Sequence, residues 1–214
     1  MSHGKEVNSN VTSIFISRYH FETPINNQSI STDQFLKASQ GAVEFVSLCG
    51  RVFSPVRSDI SGNIEKLTTI YSSEPASYLT LDSIVKSGPV GADALLWLTR
   101  ALDYIYHFLF LFLQDFEEGT KSKNLSSFFE SAYESTLKKH HNWFIQKIFQ
   151  VCLLAVLDRD NFLLLLSNRP LLTTNELITQ TEEAIFADIK TYISGLKQNL
   201  EVIQQIFKQA DIEY

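Results

Sequence analysis

The chain is 214 residues long, 44% hydrophobic and 20% charged, with a formal net charge of −6. That size and apolar content suit one globular domain with a substantial core and exclude a disordered chain. The acidic balance argues against a nucleic-acid binder and against strong anchoring to anionic lipid, though a local basic patch stays open.

Residues 1–30 are polar, with little helical periodicity apart from a short apolar patch at 11–21. They read as a partly ordered extension ahead of a single domain over 31–214. The opening MSHGKEVNSN has no signal-peptide apolar core. Ser31-Thr32-Asp33-Gln34 is a capping-box signature. A helix should follow to about residue 49, with Phe35, Ala42, Val43 and Val46 inward. Pro55 leads into a second helix, about 56–71. Pro75 and Gly88-Pro89 punctuate a short helix between them. A long apolar helix spans about 92–116. Its most apolar run, 104–113, contains His107 and is far shorter than the roughly 20 residues of a membrane span. It reads as the buried core helix of a cytosolic protein. After a turn at 119–123, helical pattern runs over 125–139 and on through His141 to 157, with a break near Asn142. A short helix at 162–166 follows. Thr173-x-x-Glu176 is a second capping box, and the last helix carries Ile185, Ile189, Tyr192, Leu196 and Ile203 at helical spacing. No segment alternates like a strand. The reading is all-α, with about eight helices.

Cys49 and Cys152 sit in apolar helical patterns and read as buried thiols rather than a disulfide. The five histidines show no metal-ligand spacing, and no cofactor is implied. No nucleophile elbow appears, so no enzyme is expected.

Residues 59–66, Asp-Ile-Ser-Gly-Asn-Ile-Glu-Lys, carry the most information. At about 100° per residue, Asp59, Asn63 and Lys66 fall within roughly 60° of one another. Ile60, Ile64, Leu67 and Tyr71 form an apolar stripe beside them. An acid, an amide and a cation at the edge of an apolar stripe suit an amphiphile. Alone, such a trio is also what a solvated helix face looks like. No second acid is evident beside Asp59, since Glu65 points about 120° away from the face's centre.

Further along stand LLWLTRAL at 95–102 and LKKHHNWFIQKIFQ at 137–150. With Pro55-Val56-Arg57-Ser58 leading into the Asp59 segment, these resemble the glycolipid transfer protein family. The resemblance runs from about residue 35 to 157, and more loosely along the last helix. It implies an all-α, two-layer helical sandwich that binds one glycosphingolipid and carries it between membranes. It places Asp59, Asn63, Lys66, Trp97 and His141 at the headgroup and amide. The first sugar would stack on Trp97, and His141 would meet the ceramide amide. It makes Trp143 an aromatic that touches the membrane. Asn142 stands where the resemblance implies a glycine.

The residue types fit that chemistry. An ionised Asp59 only accepts hydrogen bonds, Asn63 does both, and Lys66 donates. Trp97 offers a flat apolar platform with one polar handle. Taken alone, Trp97 would read as a core aromatic and His141 as a surface histidine. Val43, Leu102, Phe108, Ile145, Ile148 and Phe149 are candidate tunnel residues, or plain core. Trp143 with Lys138, Lys139 and Lys147 forms a membrane-docking face, or a solvated lysine-rich one. The expected partners are a glycosphingolipid and a transient membrane surface, with no nucleic acid and no protein partner indicated. Ceramide-1-phosphate transfer and a lipid-sensing adaptor are the rival readings. A phosphate site wants clustered Arg and Lys, and Arg100 is the sole cation near Trp97 on its helix.

Overall fold

The computed structural model describes residues 19–26, 28–167 and 175–214. These form eight α-helices, with isolated bridges such as Ser31–Thr80 and, among the described residues, no strand. Helix α1, Thr32–Leu48, starts where Ser31 Oγ accepts the Gln34 N–H at 3.5 Å. Phe35, Ala42 and Val46 are buried on it, while Val43 is half-buried. A 3-10 turn, Arg51–Phe53, leads to α2, Ser54–Ser73. Pro55 sits in the first turn of α2, where a missing N–H costs nothing. Helix α3 is Leu81–Lys86. Gly88 then takes φ +134°, open cheaply to glycine alone, and delivers Pro89 to the start of α4, Pro89–Glu117.

The helical pattern over 125–157 is two helices, divided near Asn142 as expected. Helix α5 is Ser126–Ser135, a 3-10 turn covers Lys138–His140, and α6 is Trp143–Leu153. Between them His141 and Asn142 are extended, with ψ 133° and 167°. Asn142 Oδ1 accepts the Ile145 N–H at 3.0 Å and so caps α6. Its φ of −66° is open to any residue, so this backbone needs no glycine. Asn142→Ala should cost about 1 kcal/mol in a denaturant melt and Asn142→Gly only a few tenths. No loss in either variant would mean that the cap contributes nothing.

Helices α7, Arg159–Ser167, and α8, Asn175–Gln209, complete the chain. The expected cap at Thr173 lies outside the described residues, as do residues 11–18 of the early apolar patch. Phe21 is buried against the rings of Phe35 and Tyr192. Asn199 Nδ2 donates to Glu22 O at 2.8 Å. A Cβ at Gly195 would come within 2.5 Å of Phe21 O, so glycine lets this segment lie against α8.

Helix α4 is the hub, packing on α2, α3, α5 and α8. Phe108 at its middle meets Phe45, Phe129 and Phe162 at ring separations of 5.9, 4.0 and 5.6 Å. Among the described residues α4 alone is long and apolar enough to cross a membrane, yet 56% of its most apolar window is inside the protein. It is core, because neighbouring helices cover it.

Below this hub lies an ionic knot. Arg159 is 3% exposed. Its Nη1 meets Asp115 Oδ2 at 2.7 Å and its Nη2 meets Glu182 Oε1 at 2.9 Å. Lys121 Nζ holds the other Glu182 oxygen at 2.8 Å. The guanidinium also lies over the Phe112 and Phe186 rings. Burial pushes the Glu182 carboxyl up, but the hydrogen bonds and charges of Lys121 and Arg159 outweigh it and hold the carboxyl below its ordinary range.

Both cysteines are free and buried. Burial pushes the Cys49 thiol up to about 12, so it stays protonated and unreactive.

Candidate functional site

Helices α1, α2, α4, α5 and α6 enclose a cavity of about 450 Å³. Its lining is of two kinds, polar and apolar. The 59–66 spacing brings Asp59, Asn63 and Lys66 to the rim, as one helix face must. Helix α4 adds Asp93 and Trp97, and the extended link before α6 adds His141. Beyond the rim the lining is apolar, with Phe53, Ile60, Ala101, Phe129, Ile148 and Phe149. The five residues expected at a headgroup thus border one cavity, although they come from three separate segments.

Their surroundings differ. Asn63 is buried, whereas Lys66 is exposed. Asp59 is open to solvent on one side and flanked by protein on the other. Burial raises its carboxyl above the ordinary range, and the Lys66 charge offsets this only in part. His141 Nδ1 lies 3.0 Å from the Tyr133 hydroxyl. Burial, then the Arg100 charge, hold His141 below the ordinary histidine range, so its ring is neutral at physiological pH. Trp97 lies nearly parallel to His141, with ring centroids 6.0 Å apart, and the Arg100 guanidinium sits 4.9 Å from the indole centroid. Arg100 in turn donates to Glu213 O at 3.2 Å.

The expected tunnel divides. Ile145, Ile148 and Phe149 line the cavity. Val43, Leu102 and Phe108 do not. Val43 is on the half-exposed flank of α1, where Phe45, Val46 and Cys49 face the cavity instead. Leu102 is about 100° round α4 from Ala101, which does face it. Phe108 shares the cavity face, but the Phe45 and Phe129 rings wall it off.

Besides apolar wall residues, one acid and two tyrosines of the lining escaped the sequence reading. Asp93 is a second carboxylate on the rim with Asp59. It lies four residues before Trp97, so helical spacing could have found it. Tyr133 and Tyr104 carry no local signal, because only packing across helices turns them into the cavity.

Helix α6 is apolar on both faces. Ile145, Ile148, Phe149 and Cys152 face inward. Outward stand Trp143, 73% exposed, and Leu154, 87% exposed, with Phe144 and Val151. Lys147 is exposed on α6 itself, and Lys139 is exposed on the 3-10 turn that precedes it. Lys138 is paired with Glu134 at 2.6 Å, which answers much of its charge.

Known proteins resemble this chain in sequence and fold. The chain is 32% identical to a glycolipid transfer protein of Xenopus tropicalis over 208 residues, covering 92% of this chain and 95% of the relative. It is 36% identical to that of Danio rerio over 156 residues, 66% of this chain and 73% of the relative. Among solved structures, one describing how FAPP2 selects simple glycosphingolipids using the GLTP-fold superposes with a TM-score of 0.77 at 24% identity, covering 97% and 96% of the two chains. Human ceramide-1-phosphate transfer protein, bound to a ceramide-1-phosphate, gives 0.71 at 16%, covering 88% and 91%. At those identities the structures speak for the shared all-α fold. A family model described as Glycolipid transfer protein matches residues 30–168, the segment that supplies every rim residue and α6. With that match and the full-length relative together, the chain belongs to the glycolipid transfer protein family.

Proposed function

We propose that this protein extracts one glycosphingolipid from a membrane, shields its chains and releases it at another. One observation supports this above the others: a single cavity with a hydrogen-bonding rim and an apolar interior. Asp59 and Asn63 accept from sugar hydroxyls and the ceramide N–H, and Lys66 and Asn63 donate back. Trp97 offers its indole to the first sugar, and neutral His141 donates to the amide carbonyl while Tyr133 orients its ring. Ile145, Ile148 and Phe149 take hydrocarbon, at about 0.8 kcal/mol for each buried CH₂. The outer face of α6, with Trp143, meets the bilayer interface, where tryptophan partitions well. The cycle makes and breaks no covalent bond. Two buried free thiols suit a reducing cytoplasm.

The rim favours sugar over phosphate. Asp59 and Asp93 stand there beside Lys66, with Arg100 over Trp97, so two acids offset the two cations and a phosphate would meet no net positive charge. The test is transfer between vesicles. Galactosylceramide should move at least about tenfold faster than ceramide-1-phosphate, and phosphatidylcholine should not move. A faster rate for the phosphate lipid, or equal rates for phosphatidylcholine, would overturn the proposal.

A further inference from the structure

Tyr104 lines the apolar half of the cavity. Its hydroxyl is fully enclosed and has no hydrogen-bond partner among the described residues. The ring is held edge-on by Phe129 and Phe149 at 6.4 and 6.1 Å. The two nearby thiols are engaged elsewhere, Cys49 with Phe45 O and Cys152 with Val52 O. A buried hydroxyl without a partner is rare, because nothing repays its lost hydration. A phenylalanine would keep the ring without that cost, and the surrounding wall is built from phenylalanine. The hydroxyl itself has no exposed surface, while its side chain borders the cavity, so an entering chain meets it once the cavity wall parts.

We propose that the Tyr104 hydroxyl is a specificity contact inside the tunnel, selecting a lipid with a hydroxyl on its hydrocarbon chain. The inference rests on the lipid-carrier reading above. Tyr104 is seven residues beyond Trp97 on α4, about 10 Å along the axis. From His141 the ring contacts run through Tyr133 at 5.7 Å and Phe149 at 3.7 Å before reaching Tyr104. The chain hydroxyl it meets is therefore several carbons past the amide rather than beside it. A tyrosine hydroxyl donates and accepts, so either polarity of that bond works. Burial holds its proton in place, which keeps the donor available.

Three galactosylceramides of equal acyl length test this: one unsubstituted, one hydroxylated beside the amide, and one hydroxylated at mid-chain. Transfer of each is measured with the wild-type protein and with Tyr104→Phe. The readout is the rate of each hydroxylated lipid divided by that of the unsubstituted one, so any general effect of the substitution cancels. For the mid-chain lipid this ratio should fall about three- to tenfold in Tyr104→Phe. An unchanged ratio overturns the inference, and a fall confined to the amide-adjacent hydroxyl overturns its placement. If neither protein moves even the unsubstituted lipid, the carrier reading itself fails and takes this inference with it.

Discussion

Asp59→Val should lower glycolipid transfer by more than about tenfold while leaving vesicle binding unchanged. Asp59 is the acidic acceptor of the 59–66 face, and a hydrogen bond to a charged group contributes about 1.5–3 kcal/mol. That range corresponds to roughly 10- to 150-fold in affinity per bond. The residues proposed to dock, on and beside α6, are on a different element, so on that reading the variant still meets membranes. Trp143→Ala should do the reverse, weakening vesicle association while a pre-loaded glycolipid stays bound. Identical defects in both variants would mean that one surface does both jobs. Asp59 also predicts the pH profile. Burial raises its carboxyl, so the group is neutralised at a higher pH than an ordinary aspartate. Transfer should therefore fall on the acid side above the ordinary carboxylate range, and Asp59→Asn should lack that limb. His141 is already neutral, so no step belonging to it should appear near the ordinary histidine range. The sign for stability is opposite. A carboxyl whose folded value is raised destabilises the fold when charged. Asp59→Asn should therefore melt higher without lipid than the wild type, the pattern of a residue kept for binding.

Arg159→Met should cost about 3–5 kcal/mol of stability, the usual result of stranding buried charges. For a chain of this length that is roughly 6–20 °C in Tm. The substitution removes the shared partner of Asp115 and Glu182, leaving Asp115 with Ser122 and Glu182 with Lys121. Replacing Asp115 and Glu182 by leucine as well should recover much of the loss, since an apolar core tolerates what an orphaned carboxylate does not. Glu182 is held low in the fold, so its contribution is present above its unfolded value and is lost as pH falls through the folded one. A loss under about 1 kcal/mol for Arg159→Met would show that water already screens the knot.

What could be read in advance follows the range of each interaction. The Asp59, Asn63 and Lys66 face was legible because helical period alone sets it. The break between α5 and α6 was partly legible, since an asparagine before an apolar run is a cap signal. Phe108 and Phe149 show the limit. Both sit in apolar helical patterns, and only the Phe45 and Phe129 rings decide that one is core while the other lines the cavity. The Arg159 knot joins positions 115, 121, 159 and 182, and no local pattern links charges so far apart. Tyr104 reads as one more apolar aromatic until the wall around it is seen.

The sequence holds two tryptophans, and the fold gives them opposite surroundings. Trp97 is half-buried at the cavity rim with a guanidinium and an imidazole nearby, while Trp143 stands 73% exposed on the outside of α6. The unlabelled protein therefore carries two optical reporters. On the proposed function, a sugar laid against Trp97 would change the emission of an indole that is already half-buried. Contact with a bilayer takes Trp143 out of water and moves its emission to shorter wavelength. In a Trp143→Phe background the remaining signal follows cargo, and in a Trp97→Phe background it follows docking. Stopped-flow traces of the two would put loading and landing in order of time.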